Sequence, residues 1–217
     1  MALIYWNGLD THASITDLYV SEPRLLYHGY NQFYTTGGRF NYAKLQTAGW
    51  NNSDTFQFYA NNENISSVWV GRAQYSSAAT NSRNIYLFVA RSNTGIESTI
   101  TIDTDGSIKA YRGDNSTLLG NTAPGVFIRD KWHWIEMFYS MSNSNGAIDV
   151  WLDNKQVLTV TGANTKQYPS SMNNISTITY CGEWYNGVTV NDDFYIMDTN
   201  GPAPYNSRLG DLRISVV

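Results

Sequence analysis

The chain has 217 residues, enough to bury one sizeable core, and its 42% hydrophobic and 14% aromatic content excludes a disordered chain. A net charge of −4, with 14 Lys and Arg scattered singly, excludes the clustered basic footprint that nucleic-acid binding needs. The single cysteine, Cys181, excludes an internal disulfide and a cysteine-based zinc site, and it reads as a small core residue of a strand.

Only 15% of residues are charged, against roughly 25% in average globular proteins. Asn, Ser, Thr, Gly and Tyr fill the gap, a neutral polar surface frequent in extracellular and virion β-proteins. The N-terminus, Met1-Ala2-Leu3-Ile4-Tyr5-Trp6, has no basic residue before its apolar run, and that run is too short for a signal peptide or a membrane span. The chain is therefore expected to be made and folded in a cytoplasm, with no membrane partner. Within residues 1–12, Leu3, Ile4, Tyr5 and Trp6 either complete a sheet or dock on a partner.

No window carries apolar residues at helical spacing; short alternating or apolar runs recur instead. Phe56–Ala60 is one, Ser67–Ala73 another, and Asn84–Arg91 a third, with Ile85, Leu87 and Val89 expected on one face. Thr99–Asp103 and Ser107–Tyr111 form a hairpin around Asp105-Gly106, a pair that takes the positive φ angles of a tight turn. Trp132–Tyr139 reads as a central strand in which Trp132 or Trp134 anchors the core, His133 faces solvent, and Glu136 pairs with an Arg or faces solvent. Ala147–Leu152 and Gln156–Val160 form a second hairpin around Asp153-Asn154-Lys155, with Ile148, Val150 and Leu152 on one face and Asp149 and Trp151 on the other. Asn191–Asp198 and Leu209–Ile214 read as a closing pair of strands with acids that satisfy backbone and Arg donors. Polar loops fall at 60–66 and 76–84, longer ones at 112–125 and 161–174. About a dozen short strands predict an all-β, two-sheet antiparallel jelly-roll sandwich, and one domain spanning 1–217.

The ordered series carries a resemblance. Trp6-Asn7-Gly8-Leu9-Asp10 and Ile15–Tyr19 are followed by Gly37-Gly38-Arg39-Phe40, the Asp105-Gly106 hairpin and Trp132-His133-Trp134-Ile135-Glu136. Then come Gly146–Asp153, Asp192-Asp193-Phe194-Tyr195 and Leu209-Gly210-Asp211. Over essentially the whole chain this resembles the concanavalin A-like (laminin-G-like) jelly-roll domains of tailed-phage structural proteins. The resemblance implies two packed antiparallel sheets with a concave side often used for ligands. It also implies a virion location: capsid decoration, tail or baseplate component, or receptor-binding adhesin. The chain stops at Val216-Val217, as a self-contained unit would.

Catalysis is not expected. Glycan hydrolysis needs two carboxylates about 5–10 Å apart, and this fold's hydrolase signature, Glu-x-Asp-x-x-Glu, is absent; Glu136 sits alone among aromatics and Glu183 has no acidic partner two residues away. His12, His28 and His133 lie in unrelated contexts, and no Gly-x-Ser-x-Gly elbow accompanies them. Calcium is the one cofactor the sequence offers, through Asp103 and Asp105 or Asp192 and Asp193; turn formation and backbone capping are the simpler roles of these acids.

Contact chemistry gathers in Trp184, Tyr185 and Asn186 and in Tyr27, Tyr30 and Asn31. There, flat rings beside amides suit a sugar or a protein surface equally. The expected function is a non-enzymatic capsid decoration (cement) protein. It would contact the major capsid protein and itself, as a homo-oligomer such as a trimer. The competing reading is a carbohydrate-binding tail adhesin with a host glycan as partner.

Overall fold

The computed structural model describes residues 3–7, 25–28, 32–34, 39–40, 44–48, 55–59, 65–77, 85–170, 174–181, 188–200, 202 and 207–211. Among these there is no helix. Strands follow in chain order: β1 (Leu3–Asn7), β2 (Leu25–His28), β3 (Gln32–Tyr34), β4 (Lys44–Ala48), β5 (Thr55–Tyr59), β6 (Ser67–Ser76), β7 (Ile85–Arg91), β8 (Ile96–Ile102), β9 (Ile108–Arg112), β10 (Thr117–Asn121), β11 (Trp132–Ser140), β12 (Gly146–Leu152), β13 (Lys155–Ala163), β14 (Thr177–Cys181) and β15 (Val188–Asp198). They build two antiparallel sheets. One runs β13-β12-β11-β6-β15-β4-β3 with β1 added against β15; the other runs β10-β9-β8-β7-β14-β5-β2.

The sheets meet in one apolar core. Val70, Ile135, Met137, Ile148, Val150 and Ile196 come from the first sheet, and Phe58, Phe88, Ile100, Ile102, Ile108 and Ile178 from the second; all are essentially buried. Phe88 and Tyr139 bridge the layers with ring centroids 5.7 Å apart. Tyr139 donates to the Thr165 carbonyl at 3.0 Å, and burial pushes its phenol pKa up. The expected alternation of Ile148, Val150 and Leu152 inward against Asp149 and Trp151 outward holds along β12. The β12–β13 turn is tight because Asp153 (φ 49°) and Asn154 (φ 66°) both accept left-handed backbone. In the β8–β9 turn only Gly106 does so (φ 78°), and its N–H donates to the Asp103 carbonyl at 3.0 Å.

Several expectations need correction. A bulge between Tyr86 and Phe88 shifts the face of β7, so Phe88 and Ala90, rather than Val89, join Ile85 and Leu87 in the core. Residues 112–125 are not one loop, since they contain β10. The stretch β15 is not a closing strand but a central one: β6 flanks one edge, while β4 takes Val188–Asn191 and β1 takes Phe194–Met197 along the other. Asp192 and Asp193 mark the changeover, where a bulge interrupts the pairing with β6 and Asp193 turns to φ 49°. Leu3–Asn7 completes the sheet within the chain. Residues 207–211 form no strand; they cross the outer face of the eight-stranded sheet.

His133 does not face solvent. It is 2% exposed, packs on Phe127 at 4.6 Å, and stands between two acceptors, Asp153 Oδ2 and the Ile128 carbonyl, each at 2.8 Å. Burial favours this inward place because the polar ring leaves no nitrogen without a partner.

Candidate functional site

The face of the eight-stranded sheet turned away from the core is itself dense in aromatics. Strand alternation puts Trp132, Trp134, Glu136 and Phe138 of β11 on that side, and Ile135, Met137 and Tyr139 on the core side. Register then aligns neighbours in rows. Trp151, Glu136, Gly71 and Tyr195 run across β12, β11, β6 and β15; Asp149, Phe138, Trp69 and Met197 form the row beside them. Trp132 pairs with Tyr75 at the sheet end. Ring centroids lie 5.1 Å apart for Trp69 and Phe138 and 5.9 Å for Tyr75 and Trp132, within the range of favourable tilted ring pairs. All four rings, and Trp151, are half-buried, so each keeps a solvent-facing part.

At the centre of this face is a second, smaller apolar cluster of Ala73, Trp134, Tyr195 and Met197, with Trp69, Trp132 and Leu209 packed on it. Trp134 is thus buried as expected, but on the outer face and not in the core between sheets. Gly71 makes the cluster possible: a Cβ there would fall within the Tyr195 ring. Tyr195 therefore lies across β6 and donates to Glu136 Oε1 at 2.6 Å.

Glu136 is fully buried and has three donors: Tyr195, the Gly210 N–H at 2.7 Å and Arg208 Nη1 at 2.6 Å. Of the two alternatives expected for it, pairing with an Arg is the one realised. A buried carboxylate persists only when paired and hydrogen-bonded, and residues 207–211 supply two of the three donors. That segment is tied down further by Asn154 Oδ1, which accepts from Arg208 at 2.9 Å and from the Asp211 N–H at 3.2 Å. The Arg208 guanidinium lies 4.3 Å over the Trp151 ring, a cation–π stack.

From the opposite side comes Arg39. Its guanidinium lies 5.6 Å from the Trp134 ring and 5.0 Å from Phe40. It grips Asp211 with both terminal nitrogens, at 2.5 and 2.6 Å. Its backbone N–H donates to Asp192 Oδ2 at 3.0 Å. Asp192 also takes the Asp193 N–H at 2.9 Å through Oδ1. Asp211, Asp192 and Asp198, which accepts the Asn200 N–H at 3.1 Å, thus serve Arg and backbone donors as the sequence suggested.

The four aspartates considered for calcium are not brought into one set. Asp103 and Asp105 sit at the β8–β9 turn of one sheet, Asp192 and Asp193 in β15 of the other. Asp103 pairs with Lys109. Asp105 Oδ1 accepts the Ser107 N–H at 2.9 Å, and that bond holds its carboxyl pKa below the ordinary value. Among the described residues no group of three or more acids, histidines or cysteines is placed to hold a metal.

Of the expected contact residues, Tyr30, Asn31, Trp184, Tyr185 and Asn186 lie outside the described residues, and Tyr27 is described by its backbone in β2 alone. In the eight-stranded sheet β3 begins at Gln32, opposite Gln46, and β15 at Val188, opposite Ala48, at one end. Trp132 and Tyr75 stand at that same end, since Val190 pairs with Tyr75. The sequence reading missed Trp69, Trp151, Arg39 and Arg208 as site residues. The available signal was that β6 and β11 are apolar or aromatic on both faces, which a strand with one solvated face is not.

The chain matches no protein-family model and no curated protein. Solved structures share its fold. A Bacillus subtilis protein of unknown function with a galectin-like fold superposes with a TM-score of 0.62 at 11% identity, covering 91% of this chain and 96% of that one. The alginate lyase vAL-1 from Chlorella virus gives 0.60 at 11% identity, covering 90% and 99%. The binding domain of botulinum neurotoxin DC, solved with rat synaptotagmin II, gives 0.54 at 14% identity, covering 80% of this chain and 42% of that one. The chain thus spans about two-fifths of the toxin structure it matches. The fold is a galectin- and concanavalin-like β-sandwich.

Proposed function

We propose that the chain is a non-enzymatic binding module and that the outer face of its eight-stranded sheet takes a carbohydrate. The observation that carries this reading is the row-by-row register of Trp69, Phe138, Trp132, Tyr75 and Trp151 on one half-exposed face, beside guanidinium and carboxylate groups. Flat rings stack on the C–H faces of sugars, and polar groups between them fix the hydroxyls. Among proteins of this fold, the neurotoxin structure is a binding domain and vAL-1 is an alginate lyase. A lyase role here is disfavoured by Glu136, whose two oxygens are occupied by three donors and serve to hold residues 207–211.

We further propose a virion location, a reading supported only by the resemblance of the ordered motifs to tailed-phage structural domains. There the aromatic face favours a host-glycan adhesin over a capsid cement. A glycan array probed with the intact chain and with Trp69→Ala and Trp132→Ala tests the reading. Retention of a glycan class by the intact chain and its loss in both variants, each shown to remain folded by circular dichroism, is the expected result. No retained glycan, together with many copies of the chain on purified heads, would overturn it in favour of the cement.

A further inference from the structure

We infer that the fork of Arg39 is a binding site for the carboxylate of an acidic sugar, and that Asp211 fills this site in the free protein; this rests on the carbohydrate reading of the same face. Arg39 holds the Asp211 carboxylate with both Nη atoms, at 2.5 and 2.6 Å, the planar two-bond match that guanidinium makes with carboxylates in recognition. The fork is positioned without Asp211. Asp192 fixes the Arg39 backbone, and the guanidinium lies against the Trp134 and Phe40 rings. Phe40 is 43% exposed, a ring at the edge of the fork where a sugar face can stack.

Nor does the segment need this pair to stay in place. Arg208 and Gly210 tie it to Glu136, and Asn154 takes the Asp211 N–H. The Asp211 side chain is 35% exposed and that of Arg39 15%, so the carboxylate is the more solvent-accessible partner of the pair. Another carboxylate can take its place by making the same two-bond match, and the attachment of Asp211 beside the fork makes it a competitor at high effective concentration. Beneath the same guanidinium, the indole Nε1 of Trp134 is buried with no acceptor among the described residues. A buried donor left without an acceptor is costly.

The test is calorimetric titration of the full chain at low salt with trigalacturonate, its neutral methyl ester, sialyllactose and lactose. The acidic member of at least one pair is expected to bind about tenfold more tightly than its neutral counterpart, and the pair that shows it identifies uronate or sialate as the source of the carboxylate. Asp211→Asn is expected to tighten the acidic ligand about tenfold and leave the neutral one unchanged, because an intramolecular competitor has gone. Arg39→Gln is expected to make acid and ester equal. Equal affinities of both pairs for the unaltered chain, or weaker acidic binding by Asp211→Asn, would overturn the inference while leaving the carbohydrate reading intact. Absence of binding by all four sugars, and by every member of a glycan array, would overturn both.

Discussion

The phenol of Tyr195 meets the carboxylate of Glu136 at 2.6 Å directly across Gly71, the residue that pairs with both of them in register. Three strands are thereby locked by one missing side chain. The bond orients Glu136 toward Arg208 and Gly210, and so fixes the segment that crosses the outer face.

Gly71→Ala should break this arrangement. The added methyl overlaps the Tyr195 ring, and overpacking of this kind costs about 1–3 kcal/mol. Urea denaturation monitored by tryptophan fluorescence should show that loss. An unchanged midpoint would mean that Tyr195 can leave its place over β6 freely.

Glu136→Gln should loosen residues 207–211 while leaving the core between the sheets intact. The amide presents a donor where Tyr195, Gly210 and Arg208 all donate, and an unsatisfied buried polar group costs about 1–3 kcal/mol. Hydrogen exchange should accelerate at the Leu209 and Gly210 amides and stay slow at Ile135 and Met137. Equal protection at Gly210 in both proteins would rule out the carboxylate as its anchor.

Stability should fall in acid partly through Asp153. Burial alone would raise its carboxyl pKa, but the Trp134 N–H, His133 and Lys131 outweigh burial and hold it below the ordinary carboxylate value. A carboxyl depressed in the folded state stabilises above its unfolded pKa of about 3.9, and that contribution is lost as pH falls through the folded value. Asp153→Asn should therefore be less stable at neutral pH, with the two curves converging below about pH 4. Parallel curves from pH 7 to pH 2 would show that Asp153 has no linkage to folding.

Millimolar calcium should leave the melting temperature unchanged, as should a chelator. Asp103 already has Lys109, Asp105 holds the Ser107 N–H, and Asp192 holds the backbone of Arg39 and Asp193. A calcium-dependent rise on differential scanning calorimetry would place an ion on these acids.

How far the sequence could be read depended on how local each determinant is. The β12–β13 hairpin was legible because alternation along Ile148–Leu152 and the Asp153-Asn154 turn both lie within a few residues. The faces of β7 were not, because the bulge after Tyr86 inverts alternation without any Gly or Pro to mark it. His133 reads as a surface residue until Asp153, twenty residues away, is brought against it. The outer site was hidden for the same reason on a larger scale. Arg208 reaches Glu136 across 72 residues and Arg39 reaches Asp211 across 172, so no local pattern links them. Leu209–Ile214 reads as a strand from its alternation, yet β15 already has neighbours on both edges, and the described part, 207–211, is left to lie over a face.

The seven tryptophans provide the most direct test of the central claim, that the outer face of the eight-stranded sheet is the binding surface. Indole N–H resonances should be assigned and followed during titration with whichever oligosaccharide the array retains. Trp69, Trp132 and Trp151 should shift together, with a common dissociation constant. Shifts confined to other tryptophans, with Trp69, Trp132 and Trp151 unmoved at saturation, would contradict the account.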